Sequence, residues 1–118
     1  MPDVRRAIGQ AGEDAVVAWY LAAGYEIVAR NWRVRGGELD VIARRGRLLV
    51  FCEVKTRRSD AFGVPAEAVT PRKQARIRGL AGQWLAANAQ RTGQVRFDVA
   101  AVRPTGRGWS VDVIEGAF

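Results

Sequence analysis

Apolar residues near the start of the chain recur at helical spacing. Ile8, Ala15, Val16, Trp19, Ala22 and Ala23 fall on one side at about 100° per residue, which predicts an amphipathic helix from Ile8 to Ala23, ended by Gly24. The spacing then changes. Tyr25 to Trp32 alternates loosely and predicts a first strand, followed by a basic turn from Arg33 to Gly37. A second strand runs from Gly36 to Ala43, and the tight turn Arg44 to Arg47 joins it to a third, Arg47 to Lys55. In that third strand Leu49, Phe51, Glu53 and Lys55 share one face and Val50, Cys52 and Val54 the other. Both faces are apolar up to Glu53, the pattern of a strand buried on both sides. Thr56 to Thr70 has no clear period and reads as a loop. Thr70-Pro71 is a cap followed by proline at the first helical position, opening a second helix to about Ala89 with Ile77, Leu80, Ala81, Trp84 and Ala87 as its apolar stripe. Two further strands, Gln94 to Val102 and Trp109 to Ile114, flank the turn Arg103 to Gly108. The expected architecture is α/β: helix, three strands, helix, two strands, a mixed sheet with helices packed on it, in one domain spanning residues 1–118.

The strand pattern also places charge. Glu38, Asp40 and Ile42 share a face of the second strand, so a hairpin that matches this face to Leu49, Phe51, Glu53 and Lys55 brings carboxylates and a lysine together at the sheet's end. A buried carboxylate without a partner is costly, so a cation must meet Glu53. Lys73 falls on the apolar stripe of the second helix and points toward the sheet, whether to a site or to snorkel along the core edge; Arg76 and Arg78 are expected to point away. Glu13 lies at the border of the first helix's stripe, where it can reach inward or remain a solvated rim charge. Asp98, facing opposite to Phe97 and Val99, reads as a structural hydrogen-bonding group. Trp32 among arginines suits a core aromatic or a stacking platform for a base.

Composition narrows the chemistry. The chain has no histidine and one cysteine, which excludes a histidine-based triad, a structural zinc site and an intramolecular disulfide. Cys52, mid-strand among apolar neighbours, reads as core filler. A hydrolase built from these residues would work with carboxylates, lysine and a hard cation such as Mg²⁺ or Mn²⁺. The net charge of +7, clustered at Arg30/Arg33/Arg35, Arg44/Arg45/Arg47, Arg57-Arg58 and Arg72/Lys73/Arg76/Arg78, points to a polyanionic partner. Of the 19 basic residues only Lys55 and Lys73 are lysine, and both are placed to face the carboxylates. The longest apolar run, Ala15 to Ala23, falls short of the roughly 20 residues that span a bilayer, and Glu13-Asp14 before it argues against a signal peptide. A cytoplasmic protein without a membrane partner is expected.

Asp40 followed thirteen positions later by Glu53-Val-Lys55 resembles the Asp…Glu-x-Lys signature of restriction-endonuclease-like, or PD-(D/E)xK, nucleases. More narrowly, Gly12-Glu13, Arg30-Asn-Trp-Arg33, Gly37-Glu-Leu-Asp40, Phe51-Cys-Glu-Val-Lys-Thr-Arg57, Phe62-Gly63, Lys73 and Arg96-Phe-Asp-Val99 resemble the YraN family of small bacterial proteins, itself similar to archaeal Holliday junction resolvases. Leucine rather than proline precedes Asp40. The resemblance implies that Asp40, Glu53 and the backbone carbonyl of Val54 bind Mg²⁺ or Mn²⁺, with Glu13 near the metal directly or through water. It implies that Lys55 orients the attacking water. Arg33, Arg35, Arg57, Arg58 and Lys73 would bind nucleic acid, DNA rather than RNA, with Glu38 and Gln74 as secondary members of the site. The expectation is a metal-dependent endonuclease acting on branched or structured DNA, as a homodimer if it resolves junctions. The alternative is a module that keeps the fold and binds nucleic acid without cutting it.

Overall fold

The computed structural model describes residues 4–57, 69–88 and 93–118. Its elements follow the expected order: α1 (Val4–Ala22), β1 (Glu26–Val34), β2 (Gly37–Arg45), β3 (Leu48–Thr56), α2 (Pro71–Asn88), β4 (Gln94–Thr105) and β5 (Gly108–Ile114). The five strands form one sheet in the order β1-β2-β3-β4-β5. All neighbours are antiparallel except β3 and β4, which run parallel across the α2 connection. β3 is therefore central and covered on both faces. Leu49 and Phe51 join a core with Ile77, Leu80 and Trp84 of α2, while Val50 and Cys52 join one with Val16 and Tyr20 of α1.

Several boundaries differ from the expected ones, each for a local reason. α1 starts at Val4, four residues before Ile8. Its buried line is Gly12, Val16 and Tyr20, while Ala22 and Ala23 are exposed. Gly12 sets that line: a Cβ there would lie 2.8 Å from Thr56 Oγ1 and 2.9 Å from Val102 Cγ2, so glycine lets the helix sit directly on the sheet. β1 continues through Arg33 and Val34, which pair with Glu38 and Gly37, so the turn shrinks to Arg35-Gly36. β4 continues through Pro104, because β3 ends opposite Val102 and the proline's missing donor falls where no neighbour on that side needs it. On α2, Ala87 is exposed.

One irregularity bears on the site. The β1–β2 ladder passes from Arg30 opposite Val41 to Trp32 opposite Leu39, and the intervening Asn31 has φ 50°, a left-handed conformation that asparagine tolerates better than most residues. Alternation slips there. Leu39 joins the α2-side core with Ile42, whereas Val41 lies on the α1 side. Trp32 packs against the α2-side core, the structural role of its two expected ones.

Candidate functional site

Asp40, opposite Asn31, lies one residue beyond the regular β2–β3 ladder. The β2–β3 ladder runs in register from Arg45 opposite Leu48 to Val41 opposite Cys52, and Ile42 faces Phe51 as expected. One step further, the Asp40 carboxylate itself takes over the pairing: Val54 N–H donates to Asp40 Oδ2 at 2.9 Å. This bond ties Asp40 to the end of β3, beside Glu53.

Asp40, Glu53, Glu38 and Lys73 line a cavity of about 270 Å³, closed by Gly37, Arg76, Ile77 and Leu80. α2 approaches closely here; a Cβ on Gly37 would lie 3.0 Å from Leu80 Cδ1. Lys73 Nζ meets Glu53 Oε1 at 2.8 Å and Lys55 Nζ meets the same oxygen at 3.9 Å, with the Glu53 side chain only 12% exposed. The cation that Glu53 requires is thus chiefly Lys73. Arg76, expected to point away, lines the cavity one helical turn after Lys73, since residues three apart share a helix flank. Arg78 is turned differently again, with its guanidinium over the rings of Phe97 at 4.9 Å and Phe118 at 5.5 Å.

Electrostatics mark the cluster. Burial, and then the charge of Glu53, push the Asp40 carboxyl up to about 7, although the Val54 N–H pulls the other way. Burial and the adjacent Lys73 lower the Lys55 ammonium. Burial is the largest influence on Lys73 and acts to lower it, but its hydrogen bond with Glu53, its contact with Lys55 and the charges of Glu53 and Asp40 together turn the net shift upward. Two carboxylates are thus faced by two ammonium groups, with Glu53 carrying the cationic contacts and Asp40 only the Val54 N–H among the described contacts.

The other expected residues separate into groups. Glu13 does not line this cavity. It accepts from Asn31 Nδ2 at 2.8 Å, pairs with Arg30 at 3.3 Å, and lines an adjoining cavity of about 310 Å³ with Arg6, Gln10, Asn31, Arg33 and Glu38. It is near enough for its charge to raise Asp40. Arg33 pairs with Glu38 at 2.7 Å on the surface, and Arg35 is exposed in the turn. Arg57 is half-buried, its N–H bonded to Val102 O at 2.8 Å. Gln74 does not line the cavity; its Nε2 donates to Val69 O at 3.0 Å and anchors the approach to α2. Arg58, Phe62 and Gly63 lie outside the described residues, as does most of the loop expected from Thr56 to Thr70.

The donor set suits a hard cation that retains water. Among the described residues no group of three acidic, histidine or cysteine side chains is gathered to hold a metal. Asp40 and Glu53 supply carboxylate oxygens, and Mg²⁺ is commonly held by one or two carboxylates with several waters.

A different carboxylate has the hydrogen-bonding surroundings expected of a structural group. Asp98 is fully buried on the α1 side. It accepts from Tyr20 Oη at 2.6 Å, from Arg96 Nε at 2.8 Å and Nη2 at 3.0 Å, and from Gly116 N–H at 3.0 Å. Tyr20 was the partner that spacing could have revealed. It lies four residues after Val16 and eight after Gly12, so its hydroxyl had to be buried and needed an acceptor.

The fold and this cluster define a two-helix, five-stranded α/β protein with a carboxylate–lysine cavity at one end of its central strands. The match to known proteins is specific: residues 12–102 fit the family model described as "Uncharacterised protein family UPF0102". The chain belongs to this YraN-like family. It is 50% identical over 113 residues to a UPF0102 protein of Frankia casuarinae, covering 95% of this chain and 96% of the relative. It is 54% identical over 102 residues to one of Beutenbergia cavernae, covering 86% of each, and 53% identical over 96 residues to one of Rhodococcus opacus, covering 81% of each. No helix among the described residues is long and apolar enough to cross a membrane.

Proposed function

We propose that the protein is a metal-dependent endonuclease of the restriction-endonuclease-like class, acting on DNA of branched or otherwise structured form. The observation that carries this reading is the convergence of Asp40, Glu53 and Lys73 in one cavity of a strongly basic protein, with the Lys55 ammonium 3.9 Å from Glu53. Asp40 and Glu53, with the Val54 carbonyl, would hold Mg²⁺ or Mn²⁺, and Glu13 would act through water. When bound, such an ion neutralises charge on a phosphodiester and favours deprotonation of a coordinated water. Lys55 has its ammonium beside Glu53, where it can orient the attacking water and stabilise charge developing on the scissile phosphate. Arg33, Arg35, Arg57 and Arg58 would guide the phosphate backbone. Resolution of a four-way junction takes paired cuts, so the reading includes a second copy of the chain on that substrate.

A second reading, a nucleic-acid-binding module that does not cut, is favoured by one observation: Lys73 already supplies Glu53 with a cation. Cleavage of a labelled four-way junction and a matched linear duplex in Mg²⁺ or Mn²⁺ decides between them. The nuclease reading expects cutting by wild type and a loss of at least about a hundredfold in Glu53→Ala and Lys55→Ala. Salt-sensitive binding of both DNAs without cutting would favour the binding module.

A further inference from the structure

The ion pair between Lys73 and Glu53 has a mobile half and a fixed half. Glu53 is held by β3, paired with β4 through Val99. Lys73 is anchored at its backbone, where its N–H donates to Thr70 Oγ1 at 3.2 Å; its ammonium extends on a flexible four-carbon stem. The contact occupies Oε1 of a side chain that is only 12% exposed. A divalent ion held by Asp40 and Glu53 would compete with that contact. Arg76 lies on the same wall, one turn along α2, and lines the cavity into which the released ammonium would turn.

We propose that Lys73 is an exchangeable counter-cation: it closes on Glu53 in the metal-free protein, and a divalent ion releases it to pair with Arg76 in binding a nucleic-acid phosphate. This inference rests on the metal-site reading above and adds to it a coupling between two ligands. Metal frees the ammonium for phosphate, and phosphate, by holding the ammonium, exposes Glu53 to metal. The two affinities must then rise together by the same factor. Arg76 supplies an internal control, because it contributes the same unit charge to the cavity without an ion pair to Glu53 among the described contacts.

The test is calorimetric titration of Mn²⁺ into the intact chain, comparing wild type, Lys73→Gln and Arg76→Gln. Exchange predicts that Lys73→Gln binds Mn²⁺ about tenfold more tightly, the scale of a hydrogen-bonded charge pair that no longer has to be broken, while Arg76→Gln changes affinity by less than about threefold. Equal tightening in both variants would mean general charge repulsion and would overturn the exchange. So would equal affinity in wild type and Lys73→Gln, leaving the metal site itself intact. If neither wild type nor Lys73→Gln binds Mn²⁺, the metal-site reading falls and the exchange with it. A second arm measures binding of a phosphorothioate duplex by anisotropy. Mn²⁺ should strengthen binding to wild type about tenfold and Lys73→Gln by less than about threefold, although divalent ions ordinarily weaken such binding by competing for phosphate. No enhancement in wild type would overturn the coupling.

Discussion

Two aspartates of the same sheet, the buried Asp98 and the half-buried Asp40, have opposite surroundings. Asp98 on the α1 side receives four hydrogen bonds, two of them from the guanidinium of Arg96. Asp40, where the pairing of β2 with β3 ends, receives one from Val54 among the described residues and lies near the carboxylate of Glu53. The first is a completed network, whose donors join α1, β4 and the segment after β5. The second is incomplete, since its charge is raised in energy by burial and by a like neighbour. Carboxylates in that condition are candidates for functional groups, and the contrast is the basis on which Asp40 is proposed as one and Asp98 as structural.

The largest effect should come from the completed side. Asp98→Ala leaves Arg96 half-buried without its main partner and Tyr20 without an acceptor, and should cost about 3–5 kcal/mol in urea denaturation. A cost below about 1 kcal/mol would remove the structural half of the contrast. Tyr20→Phe removes one charge-assisted bond and should cost about 1.5–3 kcal/mol by the same measurement. Asp40→Asn should have the opposite sign. The amide keeps an acceptor for Val54 N–H and gives Glu53 a donor, so the metal-free protein should gain about 1–2 kcal/mol at pH 8.

The pH dependence follows from the same group. The folded protein holds the Asp40 proton up to about 7, whereas the ordinary value is 3.8. Between these two values the folded state binds the extra proton, so this group's contribution to stability is full below the lower value and is lost as pH rises through the upper one. The stability of wild type relative to Asp40→Asn should therefore fall from about pH 4 to about pH 7 and level off above it, as read from paired denaturation curves. A flat difference would show that Asp40 is not held protonated.

Much of this was legible from the spacing of residues. Apolar runs on both faces of β3 marked the central strand, and the alternation of β2 against β3 brought Asp40 toward Glu53. Lys73 was visible because it sits on an apolar helical stripe where a charge needs a reason. What the pattern hid was non-periodic or long-range. Leu39 joins the core opposite to that of Val41, next to the left-handed Asn31 of the neighbouring strand, and no count of apolar residues anticipates such a local break in alternation. Arg76 looked outward because its helical angle lies at the edge of the stripe, but the close packing of α2 on Gly37 draws that edge to the cavity. Tyr20 and Asp98 are 78 positions apart, so each could be seen to need a partner without either naming the other.

The most direct measurement of the account's central claim is the anomalous scattering of Mn²⁺ in crystals of wild type and of Asp40→Asn. A metal site at these carboxylates gives a peak beside Asp40 and Glu53 in wild type, lost or strongly weakened in the variant. A peak elsewhere on the surface, or none at a Mn²⁺ concentration that saturates in solution, would contradict it.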